Sequence, residues 1–99
     1  MPDVLITFYC AAADSEIVAE ALRDLTREPI HLRDEQVLDR DFGNARIAEQ
    51  VRGALKRAAV EVAVPEDGAE RLIAAVAEAR RSFPVRWQTM PVIARGKLP

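Results

Sequence analysis

The sequence predicts one α+β domain with the order β-α-β-loop-β-α-β, a four-stranded antiparallel sheet with both helices on one face. Three observations predict it. Two stretches carry apolar residues at helical spacing, starting near Asp14 and near Asp67. Each follows a run rich in β-branched residues and is followed by another, so the helices are separated by strands, as in the split β-α-β motif. The 99 residues suffice for a single domain and not for two.

The first strand spans residues 4–10. Val4, Ile6, Phe8 and Cys10 alternate with Leu5, Thr7 and Tyr9, so both faces are largely apolar, as suits a central strand. The first helix spans residues 14–27. Asp14 or Ser15 serves as its N-cap, Glu16 complements the dipole, and Ile17, Val18, Ala21, Leu22 and Leu25 form the stripe. Pro29 stops it. A weaker strand covers residues 30–40, where Ile30 and Leu32 alternate and Val37-Leu38 shift the phase, predicting a bulge near residues 34–36.

Residues 42–56 admit two readings. Ile47, Val51 and Leu55 at i, i+4, i+8 favour a helical turn or two, whereas Gly43 and Gly53 favour a long mobile loop, about residues 41–56. A third strand follows at residues 57–64, with Val60, Val62 and Val64 on one face and Ala59, Glu61 and Ala63 on the other. Pro65 ends it. Asp67 and Glu70 form a capping-box pair at the start of the second helix, whose stripe is Ala69, Leu72, Ile73, Val76 and Ala77. Phe83-Pro84 closes it. The last strand spans residues 85–92, and Pro91 marks an edge or a bulge. With both helices on one side, the other sheet face is bare, and its apolar residues predict burial against further copies of the chain.

Composition narrows the function. Hydrophobic residues make up 49% and charged residues 30%, a globular balance. A net charge of −2 gives no electrostatic footprint for nucleic acid. No apolar run is long enough to cross a bilayer or to serve as a signal peptide, so a cytoplasmic location is expected. No paired catalytic carboxylates, Ser-His-Asp order or phosphate loop is present, which predicts binding rather than catalysis.

Few residues could carry chemistry. Cys10 and His31 are the sole cysteine and histidine. With Asp34, Glu35, Asp39 or Asp41 they would make a mixed site for zinc or copper, and a metal-binding or metal-buffering protein is the alternative function. The plainer reading is a small core cysteine and a solvated acidic strand end. Arg40, Arg46, Arg52, Lys56 and Arg57 cluster around the central loop, either as an anion- or partner-binding surface or as a solvated face balanced by Asp39, Asp41 and Glu49. Trp87 reads as packing in the last strand or in an interface.

The segments MPDVLITFYC, FGNARIAEQVRGALKRAAVEVAVPED and WQTMPVIARGKL resemble a small proteobacterial PII-like family of uncharacterised function. The run Ala48-Glu49-Gln50-Val51-x-Gly53 followed by Arg57, and Met90-Pro91-Val92, are its most specific pieces. More distantly the chain is similar to the PII nitrogen regulators and the CutA proteins. The resemblance implies a ferredoxin-like homotrimer with ligand clefts between subunits, and a mobile loop that touches a partner protein. Family members are often encoded beside heavy-metal efflux pumps, which suggests a membrane efflux transporter as that partner. The resemblance implies Gly43, Arg86 and Lys97 as ligand-binding residues and Arg46, Glu49, Gln50, Arg52 and Lys56 as the partner loop. It leaves the ligand open between a nucleotide and a divalent metal. The glycine-rich, phosphate-binding segment of PII is here Arg81-Ser82-Phe83-Pro84-Val85, which has no glycine to bring backbone amides close to phosphate.

Overall fold

β1 (Asp3–Ala11) lies inside the sheet, as its two apolar faces predict. It pairs antiparallel with β3 (Leu55–Pro65) on one side and β4 (Arg86–Val92) on the other. β2 (His31–Val37) completes the sheet beside β3, giving the order β2-β3-β1-β4 with every neighbour antiparallel. The helices are α1 (Ser15–Arg23) and α2 (Ala69–Glu78). This computed structural model describes residues 2–38 and 55–99, so the predicted loop lies outside the described residues except at its last two positions. The order and the all-antiparallel pairing are those of the ferredoxin-like α+β fold.

Register decides which side chains share a face, because residues directly opposite in an antiparallel ladder point the same way. Phe8 stands opposite Val60 and Trp87, and Ile6 opposite Val62 and Thr89. This is the helix-covered face. Ile6, Phe8, Cys10, Val60, Val62 and Val64 pack there against Val18 and Leu22 of α1 and Leu72 and Val76 of α2. Burying such side chains stabilises the fold by roughly 1.5–3 kcal/mol each.

Several local expectations are corrected. The first helix ends at Arg23, not at 27. Asp24 N–H still bonds Glu20 O at 3.3 Å, but Leu25 N–H turns to Leu22 O at 3.0 Å, tightening the last turn, and Glu28 N–H bonds Thr26 Oγ1 at 3.1 Å. The bulge in β2 is absent: its ladder runs unbroken from His31 opposite Glu61 to Val37 opposite Leu55. β2 is an edge strand with mostly exposed side chains, so no burial pattern enforces its apolar phase. The capping box at Asp67 does not form either. A short 3₁₀ turn, Glu66–Gly68, precedes α2, and Gly68 is the N-cap without a side-chain bond.

The second sheet face is more polar than predicted. Its central row is His31, Glu61, Thr7 and Gln88, and the next row is Arg33, Ala59, Tyr9 and Arg86. Thr7 Oγ1 donates to Glu61 Oε2 at 2.8 Å, and Arg33 Nη1 donates to Glu61 Oε1 at 2.7 Å and through Nε to Glu35 at 3.3 Å. Burial works against the charge of Glu61, but the bonds from Arg33 and Thr7 outweigh it and hold its carboxyl below the usual range. The apolar remainder is one end of the face, where Met90, Leu5 and Ala63 line up and Met90 is 54% exposed. Among the described residues no helix is long and apolar enough to cross a membrane.

Candidate functional site

Past Val92 the chain leaves the sheet edge without regular structure. Arg95 Nε donates to Asp3 Oδ2 at 2.9 Å, and its Nη1 meets Glu28 Oε2 at 3.3 Å. Asp3 begins β1 and Glu28 precedes β2, so these bonds draw the tail across the end of the sheet from β4 toward β2. The Arg95 guanidinium is held protonated more firmly than usual, above all by its bond to Asp3. Between tail and sheet lies a cleft of about 660 Å³. Leu5 and Ala63 form an apolar floor, and His31, Glu28, Arg95 and Lys97 supply the polar rim.

The opposite end of β4 carries a second group. The Arg86 guanidinium stands 5.5 Å from the centroid of the Tyr9 ring, a cation–π arrangement, and Gln88 Nε2 donates to Tyr9 Oη at 3.0 Å. Trp87 lies on the helix-covered face of this edge strand and is 50% exposed.

The turn that leads into Arg86 is fixed by an acid. Asp14, 1% exposed, accepts the backbone N–H of Ser82 at 3.1 Å through Oδ1 and that of Phe83 at 3.1 Å through Oδ2. Asp14 does stand at the predicted N-cap position of α1, but its side chain makes no cap bond there, and Ser15 Oγ donates backwards to Ala12 O at 3.0 Å. From the other side Arg81 donates to Val76 O at the end of α2 and to Phe83 O.

The structure does not bring Cys10 and His31 together. Cys10 lies under the helices opposite Ala58, which stands opposite Asp34, whereas His31 is three residues away along β2 and so on the other face. A single chain therefore cannot bind a metal through both, and the metal-buffering alternative loses its pair of ligands. Among the described residues no three His, Cys, Asp or Glu side chains converge as a metal site would require. Cys10 is fully buried, its Sγ lying 3.7 Å from Ala58 O. Burial first, then the nearby Asp14 charge, pushes its thiol up to about 11 against the opposing pull of Arg57. Since the thiolate is the nucleophile, Cys10 should resist iodoacetamide at pH 8 in the native protein and react once the protein unfolds. Mass spectrometry with and without urea checks this, and fast native labelling would contradict it.

Of the other predicted residues, Arg86 begins β4 and lines a cleft with Tyr9, Trp87 and Gln88, whereas Lys97 lies in the tail beyond Val92 and lines the cleft floored by Leu5 and Ala63. Lys56 is exposed at the start of β3. Gly43, Arg46, Glu49, Gln50 and Arg52 lie outside the described residues. Arg95 and the true role of Asp14 escape sequence reading. Arg95 sits in an unpatterned tail, and Asp14 precedes a helix, where an N-cap is the default assignment.

The family model described as "Protein of unknown function (DUF3240)" matches residues 2–99. No curated protein matches the chain. Among solved structures, a DUF3240 family protein from Shewanella baltica OS155 superposes with a TM-score of 0.78 at 17% identity, over 98% of this chain and 97% of that one. A Bacillus cereus protein related to NIF3 gives 0.71 at 14% identity, over 97% of this chain and 26% of its own. Arabidopsis thaliana PII bound to citrate gives 0.68 at 14% identity, over 92% and 78%. The fold is thus PII-like.

Proposed function

We propose, on the premise that this chain belongs to the DUF3240 family of proteins of unknown function, that it is a PII-like regulatory protein which binds a small ligand between copies of itself and does no catalysis. One observation carries the reading. Arg86 and Lys97 line separate clefts of the chain, Arg86 with Tyr9 and Gln88 and Lys97 with Leu5, His31 and Ala63, so a ligand that engages both would lie between neighbouring copies. Two features support such an assembly. Sheet edges β2 and β4 are both seven residues long and unpaired among the described residues, and they run antiparallel to one another. Two copies set side by side with their helices on the same side can therefore continue the ladder. A homotrimer is the assembly proposed. Ligand binding would order the loop between β2 and β3 and alter its hold on a partner protein, for which a membrane efflux transporter is the candidate. The ligand must favour one loop state over the other, or nothing is signalled.

Light scattering should give three times the chain mass at micromolar concentration. Calorimetry against ATP, ADP, cyclic nucleotides, divalent metals and small organic acids should give heat for at least one of them. A monomer that binds nothing in that panel would remove the regulatory reading.

A further inference from the structure

We propose that residues 93–97 form a strap with two states: closed across the end of the sheet while the Arg95 guanidinium is latched to Asp3 and Glu28, and swung away when those ion pairs break. The cleft floored by Leu5 and Ala63 is complete only in the closed state. The strap is a property of a single chain, so it goes beyond the regulatory reading, which depends on assembly and ligand binding.

Little besides Arg95 holds the tail. β4 ends at Val92, whose partner is Asp3, and no regular structure follows. Among the described residues no backbone–backbone hydrogen bond ties residues 93–99 to the sheet. There is no apolar anchor either. Ile93 is 98% exposed and Leu98 93%, and every residue between them is exposed. Such a segment loses backbone entropy on ordering and buries almost nothing to offset it. What remains is one side chain. Arg95 Nε bonds Asp3 Oδ2 at 2.9 Å, which keeps the tail beside β1. Its Nη1 and Nη2, 3.3 and 3.5 Å from the two Glu28 oxygens, carry it on to the approach to β2. The planar fork of an arginine can face two carboxylates at once, which a lysine cannot.

The latch is weak by construction. All three side chains are about a third exposed. Ion pairs of that kind contribute little in water and are screened by salt. The consequence of release follows from the lining of the cleft. Arg95, Gly96 and Lys97 make one wall, whereas Leu5, Ala63 and His31 belong to strands. An open strap removes that wall, leaves Leu5 and Ala63 on the open sheet face, and carries Lys97 away from His31. A ligand that touches both Lys97 and the strands therefore favours the closed strap, and opening the strap releases it.

Limited proteolysis of the full chain tests the proposal. Trypsin cleaves the Arg95–Gly96 bond only when the Arg95 side chain is free to enter the protease, so the latch itself protects that bond. Rates are measured at low salt and at about 0.5 M sodium chloride. A free peptide of residues 90–99 corrects for the effect of salt on the protease. Protection at low salt is expected to fall about fivefold at high salt. Asp3→Asn and Glu28→Gln should each lose it at low salt, and Arg95→Lys should lie between them and the wild type. The methyl NMR signals of Leu5 and Ala63 should move the same way in the variants as in salt. The melting temperature should not change, because the tail takes no part in the core. Protection that ignores both salt and the two acid variants would mean that something other than Arg95 holds the tail. Cleavage of the wild type at the rate of the free peptide at low salt would mean that no closed state exists. Either result overturns the strap and leaves the regulatory reading standing, while a monomer silent to the ligand panel would remove that reading and leave the strap.

Discussion

Asp14→Ala is expected to lower the unfolding free energy by about 2–4 kcal/mol, since hydrogen bonds to a charged group are worth about 1.5–3 kcal/mol each and their donors are only partly rehydrated. The carboxylate is almost wholly buried and accepts N–H groups from a segment 68 residues away in sequence. It ties the entry of α1 to the entry of β4, two places the chain could otherwise join only through packing. For a domain of this size the loss corresponds to a fall in melting temperature of roughly 10–20 °C. Asp14→Asn keeps the shape and one oxygen acceptor, so it should lose about half as much. Ser15→Ala separates this account from capping. If Asp14 were only an N-cap, its removal would remove about 1 kcal/mol, and Ser15 would be the competing cap. Urea melts of the three variants decide. Equal, small losses at Asp14 and Ser15 would refute the tertiary role.

The same residue shows where sequence reading stops. An acid before an amphipathic helix has a local explanation ready, and nothing local distinguishes a cap from a long-range ligand. The strands were legible wherever burial imposes a period of two. Val4 to Cys10 and Val60 to Val64 announce both the strand and its inner face, because each is covered by helices on that face. β2 was not legible in detail, because an exposed edge leaves its apolar phase unconstrained, and the apparent phase shift predicted a bulge that the ladder does not contain. The functional residues depend on register even more strongly. Cys10 and His31 looked like partners by type, yet an odd offset across three strands puts them on opposite faces, and parity of this kind is set by pairing that one sequence does not encode locally. The resemblance points to Lys97, but its cleft is made by the tail that Arg95 anchors to Asp3 and Glu28, ion pairs that no local pattern announces.

Adjacent residues of β1 offer the sharpest test of how this sheet divides its labour. Phe8, 1% exposed, fills the helix-covered core, and Tyr9 lies on the open face under Arg86 with its hydroxyl bonded to Gln88. Phe8→Ala is expected to remove about 3–5 kcal/mol, the transfer free energy of the ring plus a cavity that the surrounding valines cannot close. A small domain has only about 5–15 kcal/mol of stability, so this variant should sit near its unfolding threshold at 37 °C. The loss belongs to the protomer, so it should appear at every protein concentration. Tyr9→Ala instead removes a half-buried ring with one neutral hydrogen bond and one cation–π contact, about 1–2 kcal/mol within the protomer. If the open face is covered by sister copies, most of the Tyr9 effect should appear as dissociation at low micromolar concentration, read by light scattering, with the protomer still folded by circular dichroism. Comparable protomer losses at both positions would mean that the two faces share one core and that the open face needs no partner. A Tyr9 variant whose assembly and melting both match the wild type would place the contact between copies on the sheet edges alone.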